Sequence, residues 1–164
     1  MADSFTVFEH GIDNVAQRLP GLPRQEVVLT RLYFFLFAKL NEDLNRLLAE
    51  HGLNTSTLLA LTMLYSRPDN KIIPSDLSLV MVSSRTNITR LADDLVKNGW
   101  VDRRACREDR RKVFLLLTAK GREMVEKVLP VQWAHVIDLW SGFAPEEKAL
   151  LEALLRKLLA RVAQ

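Results

Sequence analysis

Arg85, Thr86, Asn87, Thr89 and Arg90 stand close together in a run that opens with two serines, Ser83 and Ser84. These side chains are suited to reading the edges of base pairs. A guanidinium donates two parallel hydrogen bonds to guanine, and a carboxamide pairs in the same way with adenine. A threonine methyl packs on the methyl of thymine. On a helix, Arg85, Thr86, Thr89 and Arg90 fall on one outward face near the N-terminus, with Asn87 to one side. A helix start also turns free N–H groups toward a phosphate. Taken alone, the run fits a solvated helix face with capping serines equally well.

A second run is Asp109-Arg110-Arg111-Lys112. A basic side chain at a hairpin tip can enter the minor groove, where negative potential concentrates. Asp109 is two residues from Arg111 and is placed to orient it by a charge-assisted hydrogen bond. By itself this too is an ordinary charged surface turn. Joined, the two runs read as one face for double-stranded DNA.

The charge distribution supports the joint reading. The 164 residues carry 23 Lys and Arg against 20 Asp and Glu, a formal net charge of only +3. Residues 83–122 hold eleven cations and five anions, a balance of +6, which leaves −3 for the rest of the chain. Positive charge confined to one segment is the footprint of a phosphate-binding face.

Other chemistries drop out. Cys106 is the single cysteine, so there is no disulfide framework and no cysteine zinc cluster. His10, His51 and His135 lie far apart and make no metal-binding pair. No glycine-rich phosphate loop and no Ser/His/Asp or Cys/His set is present, so neither an enzyme nor a cofactor is expected. Arg103, Arg104 and Arg107 around Cys106 favour a thiolate, yet the preferred reading is an exposed thiol without a sensing role. The longest strongly apolar run, residues 32–38, is too short to span a bilayer. With no signal-peptide pattern at the N-terminus, a soluble, cytoplasmic setting is expected.

The elements that must position these residues follow from periodicity and breakers. Residues 1–23 contain Gly11, Pro20, Gly21 and Pro23 and read as an N-terminal arm, with Phe5, Val7 and Phe8 able to dock. A helix is expected over residues 24 to about 50, apolar almost all round in its first half and closed by Gly52. A second follows over 55–66, capped by Asn54. A third starts at Pro74 and turns Leu77, Val80 and Met81 inward. Ser83 is expected to cap a fourth helix that ends near Asn98, with Gly99 as terminator and Ile88, Leu91, Ala92 and Leu95 inside. The period then drops to two, giving strands over 100–103 and 113–117. Thr118 caps a long helix to about Trp140 with a kink at Pro130, and a last leucine-rich helix covers 145–162. The fold class is mainly α with a small sheet (α+β). A helix-turn-helix followed by a two-stranded hairpin is a winged helix. The winged helix-turn-helix is placed at 53–118, and a helical dimerisation region at 24–52 and 119–164. The outer helices have more apolar surface than a small monomer buries, so a homodimer is expected.

Residues 109–121, from Asp109-Arg110-Arg111 to Thr118-Ala119-Lys120-Gly121, resemble the wing signature of the MarR family of bacterial transcriptional regulators. Residues 83–100 resemble that family's recognition helix and first wing strand. The resemblance covers nearly the whole chain. Ser4-Phe5-Thr6, the run from Gln25 to Leu32 and the run from Ile73 to Ser78 are closest to one branch of the family. The resemblance implies a triangular homodimer with intertwined N- and C-terminal helices. Its recognition helices would lie in major grooves, its wings in minor grooves, and the half-sites of a pseudo-palindrome about 10 bp apart. It implies a repressor released by a small phenolic or aromatic-acid effector, acting on aromatic-compound catabolism or multidrug efflux genes. It maps the Asp-x-Arg pair to Asp109 and Arg111.

A carboxylate-bearing aromatic ring needs an apolar slot with a cation or hydrogen-bond donors. By position, Arg31, Tyr33 and Phe37 on the first long helix and Thr62, Met63 and Tyr65 on the next are the candidates, with ordinary core packing as the competing reading. The competing function for the whole chain is a winged helix that docks a protein without binding DNA. The local charge and the Arg, Thr and Asn face argue against it.

Overall fold

The computed structural model describes residues 4–105 and 113–162. Its order is α1 (Ser4–Arg18), α2 (Arg24–Ala49), α3 (Thr55–Tyr65), β1 (Lys71–Ile72), α4 (Pro74–Val80), α5 (Arg85–Lys97), β2 (Val101–Ala105), β3 (Val113–Leu117), α6 (Ala119–Leu139) and α7 (Pro145–Val162).

The segment expected to be an arm is mostly helix. Gly11 sits inside α1 with open space around it, at a cost of about 1 kcal/mol relative to alanine. Docking offsets that cost: Phe5 and Ile12 are buried, and the Phe5 ring lies 5.6 Å from that of Phe35 on α2. Gly21, at φ +94°, makes the turn between the two helices. The Arg24 Nε donates to the Asp13 carboxylate at 2.6 Å and fastens the far end.

The central module is built on local rules. Asn54 accepts from the Thr57 N–H while Thr57 Oγ1 accepts from the Asn54 N–H, a reciprocal box that starts α3. Pro74 opens α4 without losing a helical hydrogen bond. Gly99, at φ +73°, ends α5. The Trp100 N–H reaches back to the Leu95 carbonyl and the Gly99 N–H to that of Val96, which satisfies the last helical oxygens. Thr118 caps α6 through the Gly121 N–H at 3.0 Å, and α6 runs on through Pro130.

The sheet has three antiparallel strands in the order β1-β3-β2. Val101 faces Leu117 and Arg103 faces Leu115 across β2 and β3. Strand β1 was not expected; at two residues it is too short to show an alternating pattern. Two further expectations are corrected. Ser84, rather than Ser83, caps α5 through the Asn87 N–H. Val80 is exposed, not inward, because α4 is short and buries only Leu77. The core joins Leu61 and Leu64 of α3, Ile88 and Leu95 of α5, Leu115 of β3 and Val125 of α6.

The outer helices are different. Within the chain, α2 buries only Leu48 and α7 buries nothing. Leu29, Phe34 and Phe37 of α2 and Leu150, Leu154 and Leu158 of α7 stay exposed, Phe37 to 61% and Leu150 to 62%. No helix among the described residues is long and apolar enough to cross a membrane.

Candidate nucleic-acid interface

Helix α5 has one buried and one open face. Ile88, Ala92 and Leu95 anchor it at the expected spacing, and Leu91 is half-buried. Ser84, Arg85, Thr86, Asn87, Thr89 and Arg90 are all exposed, and Ser83 is half-buried. The Thr89 hydroxyl donates to the Arg85 carbonyl at 3.0 Å, one turn back along the helix. Neither Arg85 nor Arg90 forms an ion pair among the described residues. Among the described residues both guanidiniums are therefore unpaired, in the first two turns from the helix end whose N–H groups point outward. Ser78 donates to the Ser83 carbonyl and braces the turn between α4 and α5.

The mount beneath α5 is tied at the base of the hairpin. The Thr118 hydroxyl donates to the Gly99 carbonyl at 2.8 Å, and Lys120 Nζ to the Asn98 carbonyl at 2.9 Å. On β2, Arg103 pairs with Asp93 of α5 at 2.6 Å. No sequence pattern announced that pair, because its partners meet only through the fold. The expected wing residues Asp109, Arg110, Arg111 and Lys112, and also Cys106, lie outside the described residues. The strands that carry them are in register to the Ala105–Val113 pair.

The six candidate ligand residues divide into two groups. Arg31, Tyr33 and Phe37 are exposed on α2; the Arg31 guanidinium lies 5.7 Å from the centre of the Phe8 ring, and Tyr33 is edge-on to Phe34. Thr62, Met63 and Tyr65 are half-buried on α3. Met63 and Tyr65 pack on the core, and the Tyr65 hydroxyl donates to Glu126 at 3.1 Å with Arg122 over its ring. None of the six lines the groove of about 280 Å³ beside α5. That groove has Met81, Ile88 and Leu91 on its apolar side, with Asn54, Asn87 and Arg90 among its polar groups. Its residues come from two segments, 54–57 and 81–94, so spacing alone did not assemble it.

Comparison with known proteins agrees with this architecture. A MarR family model matches residues 51–112, from before α3 to the residue preceding β3. The chain is 43% identical over 164 residues to the transcriptional repressor MprA of Escherichia coli strain K12, covering 100% of this chain and 93% of that one. This is the EmrR (MprA) branch that the N-terminal text resembles. It is 32% identical over 143 residues to the Escherichia coli regulator PrsX, covering 87% and 86% of the two chains. Among solved structures, a MarR variant from E. coli in complex with operator DNA superposes with a TM-score of 0.76 at 28% identity, covering 84% of this chain and 98% of that one. Full-length identity, a matching family model and the shared winged helix give one conclusion: the chain belongs to the MarR family of winged helix-turn-helix transcriptional regulators.

Proposed function

We propose that this chain is a homodimeric repressor that reads a pseudo-palindromic operator. The observation that carries the reading is the exposed set Arg85, Thr86, Asn87, Thr89 and Arg90 at the start of a helix whose other face is buried. The solved relative bound to operator DNA supports it, as does full-length similarity to a repressor. Ser83 and Ser84 contribute phosphate-facing groups at the same helix start. Asp109, Arg110, Arg111 and Lys112 supply the minor-groove contact. The unburied faces of α2 and α7 join two copies, which sets the half-sites about one helical turn apart.

A small aromatic or phenolic effector releases the DNA, and the controlled genes serve aromatic catabolism or multidrug efflux. The groove beside α5 offers a phenolic ring apolar walls next to hydrogen-bonding groups that include both the Arg90 guanidinium and the Asp94 carboxylate. The α2 and α3 residues Arg31, Tyr33, Phe37, Thr62, Met63 and Tyr65 offer the same chemistry nearer the dimer layer. Release requires that the effector prefer a conformation in which the recognition helices no longer match the operator.

The test is a gel shift with the DNA upstream of the chain's own gene, repeated with hydroxybenzoates and uncouplers. A specific retarded complex dissolved by one of these compounds supports the reading. Failure to retard any fragment more than random DNA contradicts it.

A further inference from the structure

We propose that Arg103 is a positioning residue that locks the wing to the recognition helix through Asp93. This rests on the DNA-reading role of α5 proposed above.

Arg103 shares its face of the sheet with the buried Leu115 opposite it, so its side chain leaves on the helical side. There Nη1 meets the Asp93 carboxylate at 2.6 Å, and Nη2 donates to the Thr89 carbonyl at 3.5 Å. Asp93 and Thr89 are one helical turn apart, so a single guanidinium spans the reading turn of α5. Asp93 also follows Arg90 by three positions, on a helix that approaches phosphates. Left unpaired, its carboxylate would repel them. Arg103 therefore fixes the angle between β2 and α5 and neutralises a carboxylate one turn beyond the reading face.

The pair adds little to global stability, because both partners are more than a third exposed and solvent screens them. Its effect falls on geometry. One groove must receive the helix while the next receives the wing, and the link between β2 and α5 sets that relation.

The experiment is a double-mutant cycle with Arg103→Ala, Asp93→Asn and both together, plus the charge swap Arg103→Asp with Asp93→Arg. Affinity for an operator fragment is measured by fluorescence anisotropy at several salt concentrations, with thermal unfolding of each variant. The wild-type chain must first bind the fragment specifically; if it does not, the DNA-reading proposal fails before this one is reached. The expected result is a loss of about tenfold in each single variant. The double variant loses no more than the worse single, and the charge swap recovers much of the affinity. The salt slope of Arg103→Ala stays that of wild type. A slope reduced by about one, with Asp93→Asn neutral or tighter, makes Arg103 a direct phosphate contact and overturns the proposal. Additive or silent single effects overturn it as well. A variant that unfolds is replaced in the cycle by Arg103→Lys, which keeps the charge and is expected to retain part of the affinity.

Discussion

The backbone carbonyl of Trp100 occupies the space that a side chain at Gly121 would need. A Cβ built on Gly121 falls inside the contact distance of that oxygen and 2.8 Å from Leu117 Cδ1. The first turn of α6 thus packs directly on the turn between α5 and β2. The same turn holds the Thr118 N–H on the Trp100 carbonyl and Lys120 on Asn98. The start of α6 and the C-terminal end of α5 are therefore joined by direct contact and hydrogen bonds.

Gly121→Ala forces this junction apart. Overpacking of a rigid contact costs about 1–3 kcal/mol, and here one obstacle is backbone that cannot rotate away. Urea unfolding should show a loss in that range, together with weakened operator affinity. An unchanged midpoint would mean that α6 can slide on the α5–β2 turn.

Val82 joins α4 to α5 at φ +48° and is 94% exposed. A β-branched residue in the left-handed region is strained, by about 1–3 kcal/mol. Val82→Gly relieves the strain and loses almost no packing, while the freer unfolded chain takes back about 0.4–1 kcal/mol. The expected balance is a gain of about 1 kcal/mol, seen as a rise in Tm. A fall in Tm would contradict it.

Asp13 has its carboxyl held below the ordinary 3.8, chiefly by the hydrogen bond from Arg24. A carboxyl lowered by folding adds stability above its unfolded value, and the contribution is lost as pH falls through the folded one. Asp13→Asn should therefore remove a pH-dependent component confined to the acid side of about pH 4. Melting curves of the two proteins should differ at pH 7 and converge on acidification. Divergence on acidification would contradict the assignment.

In the proposed homodimer the exposed leucines of α7 form the dimer face. Leu158→Glu places a charge on it and should dissociate the dimer in sedimentation while leaving the winged module folded. Because Leu158 is 54% exposed within the chain, loss of secondary structure would show that the residue serves the monomer instead.

Much of this fold was legible because its signals are local. Asn54, Gly99 and Thr118 mark helix ends by their own chemistry, and Ile88, Ala92 and Leu95 repeat at helical spacing. Helix α1 was hidden by Gly11 and the Pro20 to Pro23 cluster, although Phe5, Phe8, Ile12 and Val15 carry a helical stripe. Ser83 and Ser84 are alike as caps, and only the close of the α4 turn selects the second. The open face of α5 that carries Arg85, Thr86, Asn87, Thr89 and Arg90 followed from residue types and helical spacing, and the base-reading role is the proposal built on it. Arg103 with Asp93, and the groove beside α5, join distant residues and needed the fold.

The central claim is a DNA-reading face made of helix α5 and the wing. The most direct measurement is operator affinity as a function of salt for wild type, Arg90→Ala and Arg111→Ala, with dimer state checked by sedimentation. Each phosphate neutralised contributes about −0.9 to the slope of log K against log salt, so wild type should lose affinity steeply. Arg90→Ala should lower affinity for the operator more than for random DNA, and Arg111→Ala should abolish operator binding while the dimer persists. A salt-insensitive wild type, or intact operator binding in both variants, would contradict the claim.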